Sequence, residues 1–163
     1  MIDAVIFDLD GTLVRIPINY ESLFSEFKRI MNVPEVRPII ENISRLDGKT
    51  LETIFEAWDR AELAVEANAA VNEEGMSTYK RFRDKRKVLV TLQGKAVVKE
   101  ILKRHRLTFD LILTREDSLY RATQLTKAIN QLRAEPRNVL FVGNAESDRT
   151  AAEKVGCQFK RVK

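Results

Sequence analysis

The sequence predicts an α/β protein, a parallel sheet core with helices on both faces and a small α-helical cap inserted after the first strand. Three observations carry this. The chain opens on an apolar run, Val5-Ile6-Phe7, that ends in two aspartates and a glycine. After residue 88, strand-like and helix-like patterns alternate, the signature of a parallel sheet with crossover connections. Between the first and second strand-like runs lie about seventy residues, far more than the dozen or so a simple crossover needs.

The first strand is expected over residues 3–8. Side chains two apart on a strand share a face, so Asp8 and Asp10 leave its carboxyl end together. Ligands of open α/β sheets bind at that end. In the insertion, Leu23, Phe24, Phe27, Ile30 and Met31 repeat at helical spacing, and Asn19 is placed to cap their helix. Pro34 and Pro38 punctuate the next stretch. Leu51, Ile54, Phe55, Trp58 and Val65 mark one face of a longer helix, expected to run towards Glu74 and to stop at Gly75. Trp58 is expected as an anchor between cap helices. The basic run from Lys80 to Lys87 is expected as a solvated linker between cap and core. Strands follow at 88–91, 109–114, 139–142 and 158–162. Helices lie between them at 94–105, 120–133 and 146–155, the last ending before Gly156.

Composition narrows the function. With 28 Lys and Arg against 24 Asp and Glu, the formal charge is +4, which favours anionic partners without the signature of a nucleic-acid binder. The only histidine, His105, falls in an exposed basic run, and this removes Ser-His-Asp and Cys-His hydrolases from consideration. Cys157 has no partner for an internal disulfide and is expected as a small buried hydrophobe. No apolar run of membrane-spanning length and no signal-peptide pattern is visible, so a soluble cytoplasmic protein without a membrane partner is expected. The oligomeric state is not legible.

Asp8-Leu9-Asp10-Gly11-Thr12, closing the first strand, resembles the first motif of the haloacid dehalogenase-like (HAD) superfamily, most of whose members are Mg²⁺-dependent phosphatases. Lys87-Val88-Leu89-Val90-Thr91 is similar to the family's second strand with its terminal Thr or Ser. Val139-Leu140-Phe141-Val142-Gly143-Asn144-Ala145-Glu146-Ser147-Asp148 is similar to the fourth motif, Gly-Asp-x-x-x-Asp, with Asn144 in place of the first aspartate. The third motif, a Lys beyond the third strand, is not visible in Leu113–Arg121; an ungapped match puts Leu119 at its place. The resemblance implies a Rossmann-like core of residues 1–14 and 86–163 and a cap of residues 15–85 that covers the active site.

By the same resemblance Asp8 is the nucleophile that forms an aspartyl-phosphate, and Asp10 is the acid that protonates the leaving oxygen and then activates water. Its presence argues against a dehalogenase, since halide leaves without a proton. Mg²⁺ would be held by Asp8, the Asp10 carbonyl and Asn144, with Asp148 orienting waters or ligands around it. Asn144 keeps an oxygen ligand but removes a charge, which weakens the metal. Thr91 would bond a phosphate oxygen, helped by backbone N–H groups of Leu92-Gln93-Gly94 at a helix N-terminus. Arg121 and Lys95 are the candidates to replace the unseen Lys. Two readings follow: a Mg²⁺-dependent hydrolase of a small phosphorylated metabolite, or a catalytically impaired HAD-fold protein that binds a phosphorylated ligand or a protein partner.

Overall fold

A computed structural model describes residues 1–163. Five strands form one parallel sheet: β1 (Ala4–Phe7), β4 (Arg86–Val90), β5 (Leu111–Leu113), β6 (Val139–Gly143) and β7 (Gln158–Arg161), in the order β5-β4-β1-β6-β7. β1 is central and fully buried, as an unbroken apolar run should be when helices cover both faces. Its register sets Phe7 beside Leu89 on one side and Val142 on the other. The ends of β1, β4 and β6 therefore finish level, and Asp8, Thr91 and Asn144 follow them on three adjacent strands. The first and last strand of this set are joined at that level by the Asp8 N–H, which donates to the Val142 carbonyl at 3.0 Å.

Crossover helices cover the sheet. On one face Val97, Val98, Ile101 and Leu102 of α5 (Lys95–His105) pack with Val5, Phe7 and Leu89. On the other, α6 (Arg121–Leu132) and α7 (Glu146–Val155) bury Leu125, Ala128, Ile129, Ala151 and Ala152 against Ala4, Ile6 and Phe141. Alternate residues of β1 thus serve opposite cores. Gly156 ends α7 in the left-handed conformation, with φ of 87°, as a C-terminal glycine does. Cys157 lies buried beside it, and burial pushes its thiol up to about 11.

The insertion has a core of its own. Leu23 and Phe27 of α1 (Tyr20–Met31), Ile43 of α2 (Ile39–Ser44), and Ile54, Ala57 and Trp58 of α3 (Gly48–Val65) pack together, and Trp58 meets Phe27 edge-on. Asn19 caps α1 as expected, accepting from the Ser22 N–H.

Three expectations for this region are corrected. The long helix ends at Val65 rather than running towards Glu74, and a separate helix α4 (Glu73–Arg81) begins after the N-cap Asn72. Gly75 is inside α4, where a Cβ would overlap the Thr12 carbonyl; close approach, not termination, requires the glycine. Met76, Tyr79 and Phe82 pack α4 and its end on the sheet's core, so the basic run is the end of that helix, a turn and the start of β4 rather than a free linker. The insertion is also not wholly helical. Val14–Arg15 (β2) pairs antiparallel with Ala70–Val71 (β3), which fastens its entry to its exit. Strands of two residues carry no period to read.

Candidate active site

The turn after β1 builds the centre of the site. Asp8 is 4% exposed. Its Oδ2 accepts from the Thr12 hydroxyl at 3.1 Å and its Oδ1 from Arg121 Nη2 at 2.9 Å. Gly11 takes φ of 84°, and a Cβ there would collide with the Asn144 side-chain amide. Only glycine satisfies both demands, and so Asn144 comes close to the turn. Asn144 Oδ1 lies 3.3 Å from the same Thr12 hydroxyl. A hydroxyl has one proton, so two acceptor oxygens converge on a single donor.

Arg121, the first residue of α6, spans the site. Its Nη2 reaches Asp8, its Nε donates to Asp148 Oδ1 at 3.1 Å, and its Nη1 donates to Gln124 Oε1 at 2.9 Å. Gln124 is fully buried and fixed in turn by the carbonyls of Thr91, Thr114 and Ser118, which accept from its Nε2. The guanidinium is therefore held in place from behind. Asp148, three residues into α7, accepts from the Asn144 and Ala145 N–H groups through Oδ2. Both its oxygens are committed to the protein.

Two carboxyls are displaced upward. Burial lifts Asp8 to about 6, with Arg121 opposing and Asp148 reinforcing the rise. Asp10 is also raised by burial, although its Oδ1 accepts from the Ile16 N–H at 2.9 Å. Asp8, Asp10, Arg121, Asn144 and Asp148 line one hollow of about 330 Å³, together with Ala145, Ser147, Leu92 and Gln93 and, from the cap, Tyr20 and Trp58.

The other sequence candidates divide. Gln93 lines the hollow, while Thr91 is fully buried behind it, its hydroxyl bonded to Gln93 Oε1. The backbone donors expected for phosphate are partly used. The Gln93 N–H donates to Thr91 Oγ1 and the Gly94 N–H to Glu62 Oε1, at 3.1 Å each. Lys95, at the α5 N-terminus, is exposed and lines a different groove with Thr114 and Asp117. Of the two proposed substitutes for the Lys, the structure brings only Arg121 to Asp8.

A second cluster had no sequence signal. Phe55, Trp58, Asp59 and Glu62 share one face of α3 at helical spacing. Arg115, two residues beyond β5, enters this face with a wholly buried side chain. It pairs with Glu62 at 2.7 Å and with Asp59, lies 4.5 Å over the Trp58 ring, and donates to the Leu92 carbonyl at 3.2 Å. Burial raises Glu62 to about 7 despite Arg115, and Asp59 is raised too.

The family model of the haloacid dehalogenase-like hydrolases matches residues 5–162, and the chain belongs to this family. A protein of Clostridium perfringens, provisionally named the pyrophosphatase PpaX, is 27% identical over 184 aligned positions, covering all of this chain and 85% of that one. A haloacid dehalogenase-like hydrolase of Streptococcus pneumoniae superposes with a TM-score of 0.72 at 17% identity, covering 99% of this chain and 85% of the other. CbbY of Rhodobacter sphaeroides, solved in complex with phosphate, gives 0.71 at 19% identity over 98% and 85%. The fold is that of the family, and the protein is a hydrolase. No helix is long and apolar enough to cross a membrane.

Proposed function

We propose that the protein is a Mg²⁺-dependent phosphomonoester hydrolase that works through an aspartyl-phosphate on Asp8. The observation that carries this reading is the placement of Arg121 between Asp8 and Asp148. A phosphoryl group brought to Asp8 meets an anionic nucleophile, and a fixed cation beside both lowers that repulsion. Arg121 supplies a positive charge beside Asp8 where the third-motif Lys is not visible in the sequence.

The donors present suit a hard cation. Asp8 Oδ2 and Asn144 Oδ1 converge, and the Asp10 carbonyl accepts no backbone hydrogen bond. All three are oxygen ligands, and Mg²⁺ takes such sets with several waters. Asp148 is committed elsewhere and serves by fixing Arg121 and the Asn144-Ala145 backbone. When bound, Mg²⁺ neutralises phosphoryl oxygens and orients the ester.

In the first step an Asp8 oxygen attacks phosphorus and the ester P–O bond breaks, while the Asp10 carboxyl gives its proton to the departing oxygen. The raised pKa of Asp10 suits it to carry that proton. In the second, water loses a proton to the Asp10 carboxylate and its oxygen attacks phosphorus. The bond to Asp8 breaks, inorganic phosphate leaves, and both aspartates are restored. Phosphate release from a panel of small phosphate esters, with Mg²⁺ and with EDTA, tests the reading. Release that requires Mg²⁺ supports it; none, or release indifferent to EDTA, overturns it.

A further inference from the structure

Resting on that reading, we infer that the side-chain amide of Gln93, and not the hydroxyl of Thr91, is the side-chain donor that this loop gives to the phosphoryl group at Asp8. Two observations meet in it. The Thr91 hydroxyl is committed inside the protein, and the Gln93 amide keeps free N–H groups that open on the hollow.

Thr91 follows β4, the strand paired with β1, so the loop it opens runs past the end of the strand that leads to Asp8. Thr91 itself has nothing left for a ligand. It is fully buried, its Oγ1 accepts from the Gln93 N–H at 3.1 Å, and its one proton goes to Gln93 Oε1. That proton also fixes which way the amide points. Turned round, Nε2 would face Oγ1 as a second donor, and the hydroxyl proton would be left without an acceptor in a sealed site.

The other end of the amide is free. Gln93 Nε2 donates to no protein acceptor, yet it is not sealed: the side-chain atoms that are both buried and unpartnered belong to Trp58, Glu62, His105 and Arg115. Gln93 is 6% exposed and lines the hollow with Asp8, Asp10 and Arg121, so its two amide hydrogens emerge there. Because Nε2 shares its carbon with Oε1, it stands beside the Thr91 hydroxyl, where a phosphate contact is expected of Thr91. A hydrogen bond from a neutral amide to an anionic phosphoryl oxygen is charge-assisted and among the stronger kinds.

The amide is also held in place before any ligand arrives, which is what makes a donor effective when charge develops. Thr91 holds its oxygen. On one side of Gln93 the Leu92 carbonyl accepts from Arg115 Nη1 at 3.2 Å, and on the other the Gly94 N–H donates to Glu62 Oε1 at 3.1 Å. Glu62 belongs to α3 of the cap. The closed cluster at the cap thus clamps the backbone on both sides of Gln93, while its side chain faces the site.

The test measures affinity for inorganic phosphate by isothermal titration in Mg²⁺ and kcat/KM for p-nitrophenyl phosphate, with denaturation midpoints as the check on folding. Gln93→Met keeps the length of the side chain and removes the donor. It should weaken phosphate binding and lower kcat/KM by about tenfold each, the loss of one hydrogen bond to a charged group. Gln93→Glu keeps the shape and turns the free end into an acceptor, so it should lose more than Gln93→Met. Unchanged affinity and turnover in either folded variant overturns this inference and leaves the phosphatase reading intact. Thr91 acts here as a positioning residue. Thr91→Val should match Gln93→Met, Thr91→Ser should restore the wild-type values, and Thr91→Val added to Gln93→Met should cost less than about twofold more. A further tenfold loss, on the order of a second hydrogen bond, would show that Thr91 meets phosphate itself and would overturn the inference. Phosphate bound by the wild type without turnover of any ester overturns the phosphatase reading alone, and the titrations still decide Gln93. A wild type that does neither overturns both.

Discussion

Arg121 and Arg115 have the same kind of partners and different work. Each sets one guanidinium between two carboxylates, Asp8 and Asp148 for the first, Asp59 and Glu62 for the second. Arg121 keeps 16% of its side chain exposed, on the wall of a hollow that a substrate can enter. Arg115 keeps none, and its partners come from the cap helix while its own backbone belongs to the core. Access separates the two. An open cluster has charges available to a ligand, whereas a closed one spends them on joining two parts of the chain. The difference predicts that damage to one is read in turnover and damage to the other in stability.

The largest expected effect is on the closed cluster. Arg115→Met leaves Glu62 and Asp59 facing each other without a cation and should cost roughly 3–5 kcal/mol in chemical denaturation. Phosphate release below the melting transition should fall less than tenfold. At Arg121 the pattern should reverse. Arg121→Met removes the cation beside Asp8 and should lower kcat/KM by about 10²-fold, or roughly 3 kcal/mol, while denaturation shifts by about 1 kcal/mol or less. Swapped outcomes would break the comparison.

Protonation gives a third handle. Glu62 is held at about 7 against an ordinary 4.5, so between these values the folded state binds the extra proton. Its contribution is therefore fully present below pH 4.5, is lost as pH rises, and is gone above about pH 7. Glu62→Gln should remove up to about 3 kcal/mol of that slope. Denaturation midpoints of the wild type and the variant across pH 4–8 measure it, and parallel curves would show that Glu62 does not titrate as its burial implies. The smallest effect is at the proposed metal ligands. Asn144→Asp adds a negative charge beside Asp8 and should tighten Mg²⁺ by about tenfold in isothermal titration. Unchanged affinity in a folded variant would remove Asn144 from the metal site.

What the sequence disclosed follows the same division. The open cluster was nearly legible, because Asp8, Asp10 and Asn144 follow the ends of apolar strands and Asp148 opens the next helix, in runs that resemble the family's first and fourth motifs. Arg121 is singled out by its position near an expected Lys, and Lys95 by opening the helix after Thr91. Nothing in the linear chain said that the N-terminus of α6 would face Asp8 while Lys95 would point outward. The closed cluster left no trace: Asp59 and Arg115 are 56 residues apart, and a charged residue on an amphipathic face reads as solvated. Gln124 was hidden for the same reason. It looks like an exposed helix position until three carbonyls are found around its amide. The α4 boundary was missed because Gly75 carries a stop signal by type, while its use is contact with the Thr12 backbone.

The central claim is that Asp8 becomes phosphorylated during turnover. The most direct measurement is acid quenching of the protein in steady state with p-nitrophenyl phosphate and Mg²⁺, followed by mass spectrometry of the peptide that contains Asp8. The account predicts one added phosphoryl group on Asp8 in the wild type, and neither the adduct nor turnover in Asp8→Asn. Sustained phosphate release by Asp8→Asn, with contaminating phosphatase excluded, would contradict it.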